Sequence, residues 1–502
     1  MKMTVLLLVY GLQFTVYTVY AQQRSLLDSL HYQAELQTTV GTGDYNPLWL
    51  NANKYGLSSL NTGNGYLRGT IERPLSADNG RKWGIGYGAD VALASGFTST
   101  LVVQQAYVEG RWLKGTLTVG AKEQPMELKD AELSSGSQTL GINARPVPQI
   151  RMALPDYWSV PGTGNWLSLK GHIAFGKTTD AKWQKAFTKQ QSRYTEGTLY
   201  HSKAGYLKIG PKNVTFTVGM EMASQFGGTS YLFEDGGEQV YDNPSDLNAM
   251  FKMLLPRGND KTDGAFLNAE GNHLGSWVFR FDLTQPNWAL GLYADQFFED
   301  SSMLTHLTKK NSKSVWHLYD FKDWLLGVEL KLNHGKWIKG AVVEYLYTKY
   351  QGGPVYHDPT ANIDIRFCGR DNYYNHYLFT GWQHWGQVIG NPLYLSPLYN
   401  TDNQIEVEHN RFVAWHIGLN GNPAPSWHWR ILASWQKSYG SYYYLPENTP
   451  ENVSLLAEAF YMLPAEGWQL KGALGLDAGK LRGNNFGIQL TIVKNGILTL
   501  RH

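Results

Sequence analysis

Residues 83–93, WGIGYGADVAL, alternate large apolar side chains with small or polar ones. Trp83, Ile85, Tyr87, Ala89, Val91 and Leu93 share one face, and Gly84, Gly86, Gly88, Asp90 and Ala92 share the other. A period of two is the signature of a strand with one dry face. The same alternation begins at Leu30 and returns near Leu167, Val214, Trp277, Trp324, Trp427, Trp468 and Phe486. With weaker cases included, the chain holds roughly seventeen such segments, of about the 9–11 residues that cross a bilayer when tilted. Closed bacterial barrels have an even number of strands, so the pattern predicts an all-β, antiparallel transmembrane barrel of either eighteen or sixteen strands.

The connections carry a second signal. From about residue 205 onward they alternate in length: 210–213 is short and 223–275 long, then 285–287 and 299–323, 333–336 and 351–410, 420–426 and 438–467. Outer-membrane barrels have short periplasmic turns and long outer loops, so 223–275, 299–323, 351–410 and 438–467 are expected outside the cell. Residues 123–150 interrupt the rhythm and are expected to form a small helical or irregular insert in one barrel domain spanning 22–502. Pro244–Pro256 reads as a helix in an outer loop, with Ser245 as N-cap and Leu247, Met250, Phe251 and Leu254 on one face.

What covers the apolar faces is indicated by the aromatic residues. The chain has 18 Trp, 31 Tyr and 53 Gly, and aromatics make up 14% of it. Trp and Tyr gather at the strand ends (Trp83, Trp166, Trp277, Trp288, Trp324, Trp337, Tyr345, Tyr347, Trp427, Trp435 and Trp468), as in the belts that mark a lipid–water interface. The mean hydropathy of −0.36 would suit a soluble protein, but alternating strands keep the average low even when one face meets lipid. On this reading Ile85, Tyr87, Val91 and Leu93 face lipid, while the lumenal glycines leave room inside the barrel or let the sheet bend.

The net charge of +2 and the absence of basic runs give no pull toward nucleic acid. Cys368 is the lone cysteine and is expected to be an inert, buried thiol; no disulfide and no zinc spacing is available. Lys2, the apolar stretch Val5–Val9 and the Val19-Tyr20-Ala21 close predict a secretory leader over 1–21 cut after Ala21, with an uncleaved anchor helix as the alternative.

The densest unusual chemistry lies in 371–397, DNYYNHYLFTGWQHWGQVIGNPLYLSP. Tyr373, Tyr374, Trp382 and Trp385 offer flat faces to sugar C–H groups, and Asn375, His376 and His384 offer donors and acceptors to hydroxyls. On an exposed loop this set points to saccharide binding; packed into the barrel mouth, the same rings would be filler. Tyr439 and Tyr442–Tyr444 are a second aromatic candidate. Arg145, stiffened by Pro146 and Pro148, would pair with a lumenal carboxylate or bind an acidic sugar. His357, His376, His384 and His409 lack metal spacing, and no nucleophile elbow or phosphate loop is present, so no metal, cofactor or catalytic residue is expected.

Tyr374-Asn375-His376, Gly381-Trp382, Ile389-Gly390-Asn391-Pro392-Leu393 and Asn143-Ala144-Arg145-Pro146-Val147-Pro148-Gln149 resemble the Wzi capsule-assembly family, in its Bacteroides-like branch, over nearly the whole chain. The resemblance implies an eighteen-stranded outer-membrane barrel acting as a surface lectin, with a helical element on the periplasmic side and loops that block the lumen. It would place Asn143–Gln149 in an insert near the barrel interior and Asn375–Leu393 in an occluding outer loop. Together these readings predict a monomeric, non-enzymatic protein whose partners are outer-membrane lipid and capsular or exopolysaccharide. A porin or saccharide channel is the first alternative, and an envelope glycan-acting enzyme the second.

Overall fold

The computed structural model describes residues 29–234, 237–254, 271–299, 307–310, 313–316, 321–357 and 367–498. The expected leader over 1–21 and the side chain of Cys368 lie outside the described residues.

Eighteen strands form one closed antiparallel sheet. In chain order they are β1 Leu30–Thr42, β2 Gly63–Arg73, β3 Trp83–Ser95, β4 Leu101–Trp112, β5 Gly115–Ala121, β6 Gln149–Ser159, β7 Leu167–Lys177, β8 Leu199–Ile209 and β9 Val214–Phe226. There follow β10 Asn272–Thr284, β11 Trp288–Glu299, β12 Trp324–Leu332, β13 Gly340–Tyr347, β14 Phe412–Ala424, β15 Trp427–Ser438, β16 Glu451–Met462, β17 Trp468–Gly479 and β18 Asn485–Leu498. Each strand pairs with its sequence neighbours, and β1 closes the ring against β18 from Leu30↔Leu498 to Thr42↔Phe486. Closure leaves no unpaired edge, which is the condition for a sheet to sit in lipid.

The alternation resolves as expected. In β3 the outward Val91 and Leu93 are exposed, whereas Gly84, Gly86, Gly88 and Asp90 are buried. The lumenal glycines make room rather than a bend: a Cβ at Gly86 would lie 2.8 Å from the Glu109 side chain, and one at Gly88 would lie 2.7 Å from the Tyr107 ring. Around the barrel, Leu36, Leu117, Met152, Val328, Ile417, Leu474 and Leu490 likewise stand exposed on the outer face. No second layer of polypeptide covers them, so this belt faces hydrocarbon, the architecture of outer-membrane proteins.

Every long connection lies at one end of the barrel, which we take as the cell-surface end; the other end has turns such as 113–114, 210–213, 285–287 and 425–426. Several expectations are corrected here. Residues 438–467 are not one loop: β16 runs through them. Its outward face carries Ala457 and Ala459 and its inward face carries Leu456 and Phe460, so the polarity contrast that marks the other strands is weak. The helix in the loop after β9 spans Leu247–Leu254, and the Ala249 amide donates to Asp246 Oδ1, so Asp246 rather than Ser245 provides the cap. It buries Ala249 and Met253 and leaves Leu247 and Phe251 exposed, so the expected apolar face is turned partly outward. At the short-turn end the only described helical element is the 3-10 turn Leu75–Asp78, so the implied periplasmic helical element is not found among the described residues. The insert 123–148 is irregular and enters the lumen instead.

Candidate functional site

Three connections fold inward and fill the lumen: 43–62, 122–148 and 371–410. They supply Trp49, Leu50, Leu133, Tyr373, Tyr374, Trp382, Leu393 and Tyr394 to a core whose other half is the inner wall, including Phe297, Leu325, Val342, Leu346 and Leu456. This is why the lumenal faces of these strands carry apolar residues at all. Burial of each large ring contributes on the order of 2–3 kcal/mol.

The polar groups of the plug are met by the wall. Glu344 accepts from Ser134 Oγ at 2.5 Å, from the Ser135 amide at 2.8 Å and from the Tyr293 hydroxyl at 2.6 Å. Glu221 accepts from Ser137 and from the Tyr206 hydroxyl, and Lys129 pairs with Asp295 at 2.6 Å. The two plug segments also bind each other. Asn391 donates to Ser135 Oγ and to the Gly136 carbonyl, Asn143 donates to the Val388 carbonyl at 2.9 Å, and Trp382 Nε1 donates to the Thr139 carbonyl at 2.8 Å. The motifs Asn143–Gln149 and Asn375–Leu393 therefore meet face to face inside the barrel.

Burial sorts the candidate residues. Tyr373, Tyr374, Trp382 and His384 are all at most 1% exposed, which corrects the expectation of an exposed loop for these four. The Tyr373 hydroxyl donates to Asp323 at 2.9 Å and that of Tyr374 donates to the Gln138 carbonyl; both are architectural. The Asn375 side chain is used up by Val407, accepting from its amide and donating to its carbonyl. His376 is half-buried, with Nδ1 facing the Leu378 amide at 3.1 Å. His384 takes an amide proton from Thr179 on Nε2 at 3.1 Å, so its proton sits on Nδ1 and is donated to the Arg145 carbonyl at 2.8 Å.

Trp385 and Arg145 are placed differently. Gln383–His384 and Gln387–Val388 form a two-residue hairpin whose turn is Trp385-Gly386, with φ of +57° and +78°. Such a turn favours Asn or Asp at its first position, and a bulky residue there is held at a cost of about 1–2 kcal/mol. The surroundings that hold it are specific: Asp180 Oδ2 accepts from the Trp385 amide at 3.1 Å and Thr179 Oγ1 from its indole at 3.2 Å. The half-exposed indole then stacks on the Arg145 guanidinium at 4.5 Å. Arg145 donates to Thr98 Oγ1 at 2.8 Å and makes no ion pair among the described residues, so the expected lumenal carboxylate partner is not found. Its Nε is buried with no hydrogen-bond partner. Burial lowers its pKa to about 10, which leaves it charged at neutral pH.

Trp385 and Arg145 line a pocket of about 220 Å³ at the cell-surface end, together with Tyr45, Ser59, Asn61, Phe97 and Gln387. A ring platform, a guanidinium, and amide and hydroxyl groups thus converge on a space suited to one sugar unit rather than to a larger compact ligand. Tyr45, Asn61 and Phe97 were missed by sequence reasoning because they lie in connections outside the regular alternation after residue 205. A Phe in the short polar turn SGFTST was the one available signal. Below the plug, a separate charged cavity of about 430 Å³ opens toward the short-turn end, with Lys54, Arg68, Glu123 and Arg430 on its walls. Among the described residues no cluster of His, Cys, Asp or Glu is arranged to hold a metal.

Comparison with known proteins agrees with this architecture. Wzi of Escherichia coli, described as an outer-membrane protein involved in group 1 capsule assembly and a carbohydrate-binding β-barrel, superposes with a TM-score of 0.55 at 14% identity, covering 97% of this chain and 88% of its own. Two Pseudomonas aeruginosa barrels give lower scores of 0.45: OccK3 at 11% identity, covering 96% of this chain and all of its own, and OprD at 10% identity, covering 94% and 96%. No curated protein sequence matches the chain. The family model for the capsule assembly protein Wzi matches residues 51–393, which include the insert 122–148 whole and parts of the other two plug segments, and the chain therefore belongs to the Wzi capsule assembly family.

Proposed function

We propose that the protein is a non-enzymatic outer-membrane lectin that binds capsular polysaccharide and holds it at the cell surface. The observation that carries this reading is the Trp385–Arg145 pair, a strained and half-exposed indole stacked on a guanidinium that has no ion pair among the described residues, mounted on a plug that the barrel wall fastens in place. Strain retained at a surface tip is a mark of function. Ring stacking on sugar C–H faces and a guanidinium directed at a hydroxyl or carboxylate would grip one unit of a repeating chain. Weak grips at many barrels along one polymer then give avidity without chemical change. The barrel works as a monomer on this reading, since one closed chain supplies the whole site.

The test is capsule retention. Deleting the gene is expected to release capsule into the medium with synthesis intact. The Trp385→Ala protein is expected to assemble normally and to bind the host's purified capsule about tenfold more weakly. Unchanged binding by this variant would remove the site, and attached capsule in the deletion strain would remove the function. The plug also favours a lectin over a channel: planar bilayers containing the protein are expected to conduct little. New reducing ends after incubation with capsule would instead indicate an enzyme.

A further inference from the structure

The outer face of the barrel rim carries a row of cations over the tops of β12, β13 and β14. The ladders pair Trp324 with Tyr347, Tyr347 with Val413, and Phe412 with Ser438. Two residues higher, this register sets Lys322, Lys349 and Arg411 side by side, with Tyr439 as the next member. The row is held as such: Arg411 Nε donates to the Lys349 carbonyl at 3.0 Å, and the Tyr439 amide donates to the Arg411 carbonyl at 2.8 Å. Their chain neighbours Asp323, Thr348, Phe412 and Ser438 are all at most 2% exposed and point inward, so alternation turns the cations outward.

Three like charges on adjacent strand tops, within about 10 Å, repel one another. Among the described residues none of the three is ion-paired to a carboxylate. Asp323 lies beside them but its carboxyl turns inward, accepting from the amides of Tyr350 and Gln351 and from the Tyr373 hydroxyl. Lys437, lower on the same face, is neutralised by Glu451 at 2.7 Å. Each unpaired cation instead rests on a tyrosine face: Lys322 on Tyr350 at 4.2 Å, Lys349 on Tyr439 at 3.9 Å and Arg411 on Tyr442 at 3.9 Å. A ring face does not neutralise the charge of the cation resting on it, so that charge is still available to an anion. Below the row on these strands and the neighbouring β15 lie Trp324, Tyr347, Tyr345, Trp415 and Trp435, a stretch of the aromatic belt that marks headgroup depth.

We infer that Lys322, Lys349 and Arg411 form a docking site for the phosphate groups of a glycolipid in the outer leaflet. The row faces lipid rather than the mouth, lies just above the belt, and among the described residues lacks the ion pairs that would offset its charge; clustered phosphates supply them. This inference concerns the lipid annulus and does not depend on the capsule-binding reading.

The experiment measures binding of the full-length protein, in a neutral detergent, to diphosphoryl lipid A and to the same lipid after enzymatic removal of its phosphates. The wild type is expected to prefer the phosphorylated form at least about tenfold, and the combined Lys322→Gln, Lys349→Gln, Arg411→Gln variant to lose that preference. If the triple variant does not assemble, Lys349→Gln alone is expected to lower the preference several-fold and raised salt to lower it in the wild type. Equal binding of the two lipids, an unaltered preference in the variants, full competition by millimolar inorganic phosphate, or loss of polygalacturonate binding in place of lipid binding would each overturn the inference. Capsule binding through Trp385 is expected to survive the triple substitution, so the two readings stand or fall separately.

Discussion

Replacing Glu344 with alanine is expected to release the plug. This side chain is fully buried on β13 and accepts three hydrogen bonds, two from the insert at Ser134 and Ser135 and one from Tyr293 on β11. Alanine leaves two hydroxyls and one amide without an acceptor in a site that water cannot readily enter. An orphaned buried donor costs about 1–3 kcal/mol, so the loss should total on the order of 3–5 kcal/mol. Two of the three orphaned donors belong to the insert, and the ladder from Lys331↔Gly340 to Trp324↔Tyr347 does not use this side chain. The barrel should therefore still form while residues 122–148 become sensitive to protease and planar bilayers begin to conduct. Glu344→Gln keeps an acceptor oxygen and should lie between the two. A variant that stays closed, with an unshifted melting temperature on unheated gels, would show that the plug is held by its rings alone.

Acidification should loosen the same plug from a different side. His384 joins three segments, accepting from the Thr179 amide and donating to the Arg145 carbonyl. Burial opposes a charge on the ring and holds its pKa below the usual histidine value, and a second proton would have to go on Nε2, against an amide N–H already pointing at it. His409 is buried too, with Nδ1 at 2.8 Å from Ser438 Oγ, and burial, with Arg482 nearby, lowers its pKa to about 4. A histidine whose folded pKa lies below its unfolded value of about 6.5 contributes stability fully present above pH 6.5 and lost as the pH falls through the folded value. For His409 this amounts to about 3 kcal/mol between pH 6.5 and 4. The histidine contribution is thus expected to be lost from pH 6.5 downward, while the carboxyls of Glu408 and Asp323, raised by burial to about 7 and about 6, act in the opposite sense over the same range. The stability difference between the wild type and the His384→Gln, His409→Gln double variant is therefore expected to shift against the wild type on going from pH 6.5 to 5. A difference independent of pH there would contradict the assignment.

The geometry also explains why a binding protein would need such a plug. Trp385 is useful to a ligand only if its hairpin is rigid. Rigidity comes from Asp180 and Thr179 on one side and from Arg145 on the other, and Arg145 belongs to the insert that Glu344 fastens. Loosening the plug is therefore expected to weaken capsule binding as well as to open the lumen.

The membrane-facing half of the molecule could be read from the chain because lipid imposes one uniform rule, with every second residue apolar over a fixed length. Val91, Leu474 and Leu490 obey it, and β3, β17 and β18 lie where the alternation put them. The rule failed at β16, where Leu456 and Phe460 turn inward and Ala457 and Ala459 outward; Leu456 meets the polypeptide plug, and Phe460 lines the cavity below it.

For the site, residue types were legible but their placement was not. Tyr373, Trp382 and Trp385 look alike in a sequence, and a hairpin only two residues wide decides that Trp382 is buried and Trp385 reaches the surface. Arg145 meets Trp385 across 240 residues, and Thr98 and Tyr45 complete the pocket from two further connections. The sequence by itself determined the closed sheet, because backbone pairing and alternation are local and repeat along each strand. Only the tertiary structure decided which rings are core and which are site, because that depends on three distant loops filling one lumen together.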